Sequence, residues 1–347
     1  MVLRLAFVGF GNVARAFARM LEARRHQLEG EFGLSWRVTA IATARHGCVI
    51  SDSAIDLMEA VRLCESGGSL ELPGAIKIGD ASQMLEQCEA DVLFETTTLN
   101  PDNGEPAISY IRGALERGIN VVTANKGPLA FAHRRLREAA RDHQVSFRYE
   151  GAVMDGTPIF NLIECCLPAI KVLGFEGVLN STTNHILTGM QEGRSFDDCL
   201  DEARRLGITE ADADYDIDGW DTAVKAAALA NVLMGADIRP AEVERMGIRG
   251  VTFEELSSAI EKGSVIRLVA RASYSGDRPR LIVGPQMIPL TSPLALSKGT
   301  SNALILRTDL MGTLAIFETD PGIEQTAYAL LSDLLRIHSE HNRISST

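Results

Sequence analysis

The feature that most constrains the fold lies at the start of the chain. Residues 3–8 are apolar almost without a break, run into Gly9-Phe10-Gly11-Asn12-Val13-Ala14, and give way to helical spacing over 13–23. A short continuous apolar run suits a strand buried on both faces. In a glycine-x-glycine-x-x-alanine turn between strand and helix, each small residue has its own use. Gly9 permits the tight turn, Gly11 lets backbone approach a pyrophosphate, and Ala14 lets helix and strand pack closely. The first-turn N–H groups, beginning at Asn12 and Val13, are then free for phosphate. An ordinary tight turn also fits this pattern, but its place in the first strand of a βαβ unit favours a dinucleotide site.

Further strands are expected at 35–43, 91–95, 119–123 and 145–150, with helical patterns at 106–116 and 129–143 between them. Strands alternating with helices predict a Rossmann-type, doubly wound parallel sheet. Beyond Gly151 the order changes. Helices at 158–166, 196–206 and 222–233 accompany strands at 172–179, 264–272, 281–288 and 303–308, predicting a second α+β domain with a mostly antiparallel sheet. A last helix at 324–337 returns to the first domain. The expected division is 1–149 plus 316–347 for nucleotide binding and 150–315 for substrate and dimerisation. A length of 347 residues suits two domains at about 150 residues each.

Composition narrows the function classes. Lys and Arg total 34 against 46 Asp and Glu, and the net charge of −12 disfavours nucleic acid and anionic lipid as partners. No signal peptide and no apolar run of about 18 residues is found, so a soluble cytoplasmic protein is expected. The six cysteines contain no C-x-x-C pair and read as reduced thiols, with Cys165 and Cys166 expected in a helical core.

An NAD site usually carries an acid at the end of the second strand to bind the ribose diol. Here that stretch reads Ile41-Ala42-Thr43-Ala44-Arg45-His46. Arg45, with Thr43 beside it, suits a 2′-phosphate and favours NADP over NAD; a merely solvated surface arginine is the alternative.

Three later segments are more specific. They are Thr123-Ala124-Asn125-Lys126, Glu150 through Asp155-Gly156-Thr157-Pro158, and Gly207-Ile208-Thr209-Glu210 continuing to Gly219-Trp220-Asp221 and Lys225. With the glycine turn and Gly247-Ile248-Arg249-Gly250, this ordered series resembles homoserine dehydrogenase over most of the chain. The resemblance implies NAD(P)-linked interconversion of L-homoserine and L-aspartate 4-semialdehyde, a step toward threonine and methionine, in a homodimer formed through the second domain. It implies that Lys225 and Lys126 are the catalytic lysines, with Lys225 as acid/base and Lys126 positioning substrate and lying at the cofactor. Glu210, Asp216 and Asp221 carry over as the acidic side of the substrate site, with Thr182 as a hydroxyl contact. A sodium ion held mainly by backbone carbonyls of Glu150, Val153, Asp155 and Thr157 is also implied. The regulatory domain carried by some members is not expected here, since only a short polar stretch follows Ile337.

The residues support this chemistry independently. Alcohol oxidation by hydride transfer needs a group to take the hydroxyl proton, and Asp221 and Lys225, four apart at the start of a helix, can approach each other. Thr97 and Thr98, after Thr96 behind the strand expected at 91–95, are expected to line the cofactor cleft. Asp214-x-Asp216-x-Asp218-Gly219 imitates half of a calcium loop, but the twelfth position is Lys225, which repels a cation, so the acids are expected to be free for substrate. Two departures from the family are evident: Ser181 stands where glycine is usual, and Glu318-Thr319-Asp320-Pro321-Gly322 replaces a glycine-rich turn. Rival functions are an acylating aldehyde dehydrogenase of the aspartate-semialdehyde type, which needs an activated cysteine, and a non-catalytic NADP-binding protein.

Overall fold

A computed structural model describes residues 2–209 and 212–344. They fall into two compact units. The first takes the chain up to Pro128, Ala132–Ile159 and everything from Gly322; the second takes Leu129–Phe131 and Phe160–Pro321.

The first unit is built in the order β1 (Val2–Val8), α1 (Asn12–Ala23), α2 (Arg25–Phe32), β2 (Ser35–Ala42), β3 (Cys48–Ile50), α3 (Leu57–Glu65), β4 (Ile76–Ile78), α4 (Ala81–Gln87), β5 (Val92–Glu95), α5 (Ala107–Glu116), β6 (Asn120–Thr123), α6 (Lys126–Asp142) and β7 (Phe147–Arg148). Its described strands lie in the order β4-β3-β2-β1-β5-β6-β7. β2, β1, β5, β6 and β7 are parallel, as the alternating pattern predicts. The sheet is nevertheless mixed, because β3 and β4 join its edge antiparallel. At three residues each, these strands carry too little periodicity to be read beforehand. Burial on both faces explains the apolar opening: Leu3, Leu5 and Phe7 are fully buried, and Phe7 and Phe17 of α1 pack on Phe94 of β5 at 5.1 and 4.6 Å. Strand order reverses at β1, so the ends of β1, β2 and β5 flank the crevice where doubly wound sheets bind ligands.

At the other end of β1, Asp91 accepts from the Arg4 N–H at 2.7 Å and from its guanidinium at 2.7 and 3.1 Å. Burial alone would raise the Asp91 carboxyl; Arg4's hydrogen bonds and charge reverse this and hold it below the ordinary value. An acid with a depressed folded pKa stabilises above its unfolded pKa and loses that stabilisation as pH falls through the folded one. Arg4→Ala is therefore expected to cost roughly 1–3 kcal/mol at neutral pH and much less near pH 2, measurable by denaturant titration at both. An equal cost at the two pH values would show that the pair contributes by packing alone.

The second unit follows as β8 (Val172–Val178), α7 (Ser181–Gln191), α8 (Phe196–Arg205), α9 (Asp214–Ile217), α10 (Trp220–Leu233), β9 (Glu244–Arg245), α11 (Phe253–Glu261), β10 (Ser264–Ser275), β11 (Arg278–Pro289), β12 (Asn302–Thr308) and β13 (Thr313–Glu318). The described strands order as β13-β12-β8-β10-β11-β9, antiparallel except where the short β9 meets β11. Ala223, Val224 and residues 226–230 of α10 are all buried, as in a helix packed on every side. The helix expected at 158–166 is a wide π turn over Leu162–Cys166, and Cys165 and Cys166 are exposed rather than core. Moderately apolar cysteines in an apolar run give no sign of which way a non-3.6 turn will face. The other four cysteines are buried and free.

The last helix, α12 (Ile323–Ile344), belongs to the first unit, where Leu330, Leu334 and Ile337 enter the core of β1 and α1. Its Asp333 carboxylate accepts from the Glu150 N–H at 2.9 Å, and Glu150 Oε1 accepts from the Ile159 N–H at 2.6 Å. These bonds tie 150–159 to the first unit, and the boundaries between the compact units fall at 159/160 and 321/322. Among the described residues, no helix is long and apolar enough to cross a membrane.

Candidate active site

Gly9 has φ +83°, and a Cβ there would lie 2.6 Å from the carbonyl carbon of Thr96 and 2.7 Å from the N of Thr97. Only glycine fits between the ends of β1 and β5. The turn is fixed further by the Gly9 N–H donating to Ala42 O at 2.9 Å and by Thr96 Oγ1 donating to Gly9 O at 2.6 Å. Gly11 is the N-cap of α1, with no side-chain cap, no acid in the first turn and open space where a Cβ would stand. Exposed Asn12 and half-buried Val13 form the start of that helix, while Ala14 is fully buried. An uncapped helix start behind a bare glycine is what a pyrophosphate requires, so this turn fits a dinucleotide.

Beside it, the chain leaves β2 in a tight turn. Thr43 Oγ1 accepts from the His46 N–H at 2.7 Å and donates to Gly47 O at 3.0 Å, holding exposed Arg45 at the tip. The arginine stands at the strand end where a ribose-binding acid is otherwise found.

The ends of β5 and β6 carry a network that motif reading missed. Glu95 is fully buried. Its Oε1 accepts from the Thr97 N–H at 2.8 Å and from the Thr97 hydroxyl, and its Oε2 accepts from Thr123 Oγ1 at 2.7 Å. Thr123 Oγ1 in turn accepts from the Asn125 N–H at 2.9 Å. Burial raises the Glu95 carboxyl, against hydrogen bonds from Thr97, Thr123 and Asn125 that lower it. The Thr97 hydroxyl proton is thus directed at Glu95, while Thr98 is exposed. Asn125 caps α6 by accepting from the Gly127 N–H at 2.9 Å, and half-buried Lys126 is the first residue of that helix.

The second unit gathers the other set of candidates. Lys225 Nζ lies 3.2 Å from Asp221 Oδ2 and donates to Leu179 O at 2.6 Å. The four-residue spacing does place the pair on one face of α10. Asn180, the N-cap of α7, joins two acids: its Nδ2 donates to Asp221 Oδ2 at 2.9 Å and to Asp216 Oδ1 at 2.8 Å. Asp216 Oδ2 also accepts from Thr182 at 2.9 Å and Thr209 at 3.2 Å. Asp216, Asp221 and Thr182 therefore come together, with Asn180 and Thr209 as partners that sequence reading left unassigned. Glu210 lies outside the described residues.

Asp214 and Asp218 are not free acids. Both pair with Arg249, Asp218 at 2.7 Å, which separates them from Asp216. Gly247 makes this possible, because a Cβ there would overlap the carbonyl of Ile217. The Ile248 N–H donates to that same carbonyl at 2.9 Å, docking the Gly247–Gly250 motif on the acidic loop. Among the described residues no group of three or more His, Cys, Asp or Glu side chains is placed to hold a metal ion.

The segment holding Glu150, Val153, Asp155 and Thr157 is a pair of single 3₁₀ turns in the first unit, with Asp155 at φ +45°. The Glu150 side chain is turned to the Ile159 N–H. Ser181 Oγ donates to Thr300 O at 2.8 Å. Glu318, in the altered turn, is buried in the second unit and accepts from Asn302 Nδ2 at 2.9 Å, while Asp320 is exposed.

Comparison with known proteins finds matches over both units. The family model for the NAD-binding domain of homoserine dehydrogenase matches residues 9–150, and that for homoserine dehydrogenase matches residues 158–335. An NAD(+)-dependent homoserine dehydrogenase of Pseudomonas canavaninivorans is 35% identical over 98% of this chain and 97% of its own length. The homoserine dehydrogenase of Methanocaldococcus jannaschii is 36% identical over 96% and 98%. Among solved structures, a hyperthermophilic archaeal homoserine dehydrogenase in complex with NADPH superposes with a TM-score of 0.83 at 30% identity, covering 98% of each chain. The enzyme of Thiobacillus denitrificans gives 0.83 at 28% identity, covering 99% of this chain and 74% of the other. With both halves matched in order and the acylating and non-catalytic alternatives thereby set aside, the chain belongs to the homoserine dehydrogenase family, NAD(P)-dependent oxidoreductases that interconvert L-homoserine and L-aspartate 4-semialdehyde.

Proposed function

We propose that Lys225 is the acid/base of this reaction, that Asp221 orients it, and that the cofactor is preferentially NADP. The observation that carries this assignment is the ion pair of 3.2 Å between Lys225 and Asp221, largely shielded from water. When bound, NADP(H) accepts or supplies the hydride. In the direction of aldehyde reduction the carbonyl carbon gains that hydride and its oxygen becomes an alkoxide. The Lys225 ammonium, held between Asp221 and Leu179 O, gives the alkoxide its proton. In the reverse direction the neutral amine takes the hydroxyl proton. An ammonium at this point also stabilises the oxyanion while it forms.

Lys126, at the start of α6, positions the substrate electrostatically. Asp216, with Thr182 and Glu210, meets the substrate ammonium; three donors hold the Asp216 carboxylate in one orientation. The first unit holds the dinucleotide through Gly9, Gly11, Asn12, Val13, Thr97, Thr98 and Lys126, and the second supplies the acid/base and the homodimer contact. Backbone oxygens of Glu150, Val153, Asp155 and Thr157 are the proposed sodium ligands. The enzyme works in the cytoplasm.

Arg45 binds the 2′-phosphate of NADP. One relative is named as NAD(+)-dependent and one solved neighbour holds NADPH, so the family accommodates both cofactors. In assays of NADPH oxidation with aspartate semialdehyde, wild-type turnover is expected without added phosphate. Arg45→Ala is expected to lower kcat/KM for NADP about tenfold or more while changing that for NAD by less than about threefold. Equal loss with both cofactors would remove the 2′-phosphate assignment.

A further inference from the structure

We infer that Glu95 is a positioning residue, a buried carboxylate that acts through Thr123 and Asn125 to fix the start of α6 and with it the Lys126 amine. The inference rests on the proposed role of Lys126 and deepens it.

The hydrogen bonds run in one direction. A peptide N–H can only donate, so the Asn125 N–H at 2.9 Å makes Thr123 Oγ1 an acceptor, and the single hydroxyl proton of Thr123 is then directed to Glu95 Oε2 at 2.7 Å. At Oε1 the Thr97 N–H is again only a donor. Glu95 is met by donors on both oxygens, which is the environment of an ionised carboxylate. The chain ends at Asn125, whose side chain caps α6 at the Gly127 N–H and whose Nδ2 reaches Thr97 O at 3.2 Å. On the other side, the peptide between Thr96 and Thr97 lies against Gly9. One carboxylate thus connects the β5 end that packs on the glycine turn with the helix start that carries Lys126.

Packing does not explain an acid here. Burying a carboxylate costs desolvation that a neutral side chain of the same volume avoids. Glutamine has the same shape but the wrong hydrogen-bonding pattern. If its carbonyl oxygen serves the two Thr97 donors, its NH₂ faces Thr123 Oγ1, and the hydroxyl proton of buried Thr123 loses the acceptor it had. The hydroxyl must rotate to find another, which turns its lone pairs off the Asn125 N–H and loosens the start of α6. Cofactor contacts at the glycine turn stay in place.

The test compares wild type with Glu95→Gln, Thr123→Val and the double variant, measuring kcat for homoserine oxidation, the dissociation constant of NADPH by fluorescence titration, and the thermal midpoint. Glu95→Gln is expected to lower kcat about tenfold or more, a larger loss than the accompanying loss in NADPH affinity, because the contacts of Gly9, Gly11, Asn12 and Val13 are kept. Thr123→Val should act in the same direction, and the double variant should be no slower than the slower single, because both break one chain. A fall in the midpoint with unchanged kcat, or losses that multiply in the double variant, would overturn the inference. If Glu95→Gln does not fold, unchanged kcat in Thr123→Val has the same force. Lys126→Met separates the two levels: wild-type kcat in that variant overturns the Lys126 role and the inference with it, whereas an impaired Lys126→Met beside a wild-type Glu95→Gln overturns the inference alone.

Discussion

Lys225→Ala is expected to lower kcat at least about a hundredfold while leaving the affinity for NADPH within about threefold of wild type. The variant removes the proposed proton donor and the cation opposite the developing alkoxide, and no described ammonium takes its place four residues from Asp221. It also leaves Asp221 buried, with Asn180 as a remaining donor, so some loss of stability accompanies the loss of rate. Steady-state kinetics in both directions, with a fluorescence titration of NADPH, separate these effects. Turnover close to wild type would exclude Lys225 from the chemistry.

Gly9→Ala is expected to damage both fold and cofactor binding. Alanine at φ +83° carries backbone strain of about 1–2 kcal/mol. Its Cβ also overlaps the backbone of Thr96 and Thr97, which no side-chain rotation relieves. The turn must open, so NADPH affinity is expected to fall at least about a hundredfold, equivalent to roughly 2.7 kcal/mol, with a clear drop in the thermal midpoint. Gly11→Ala is the control. Its backbone is ordinary and its Cβ enters open space, so the fold should be retained and only cofactor affinity lost. Tight NADPH binding by Gly11→Ala would remove that glycine from the pyrophosphate site.

Much of this was legible beforehand, and the omissions have physical causes. The first strand, the glycine turn and the helix behind it were readable because a continuous apolar run, 3.6-residue patterning and the need for small residues are local properties. The edge strands β3 and β4 were not, since three residues show no period. The exposed Cys165 and Cys166 were misplaced because the segment winds as a π turn, whose facing an apolar run does not reveal. Asp216 and Asp221 were identified by resemblance, but three acids in Asp214-x-Asp216-x-Asp218 look equivalent in sequence. Arg249 takes the outer two, and only Asp216 meets Asn180 and Thr182.

By itself, then, the sequence determined a dinucleotide turn on a parallel sheet, a lysine and an aspartate on one helical face, and the family to which the chain belongs. Tertiary structure decided which acids pair with Arg249 and which is held by Asn180, Thr182 and Thr209, and that a buried glutamate lies behind the threonines at the end of β5. The difference follows from chain separation. Helical and strand patterns are written over a few residues, whereas the bonds from Asn180 to Asp216 and from Thr123 to Glu95 join positions dozens of residues apart, which meet only when the packed sheets bring strand and helix ends together.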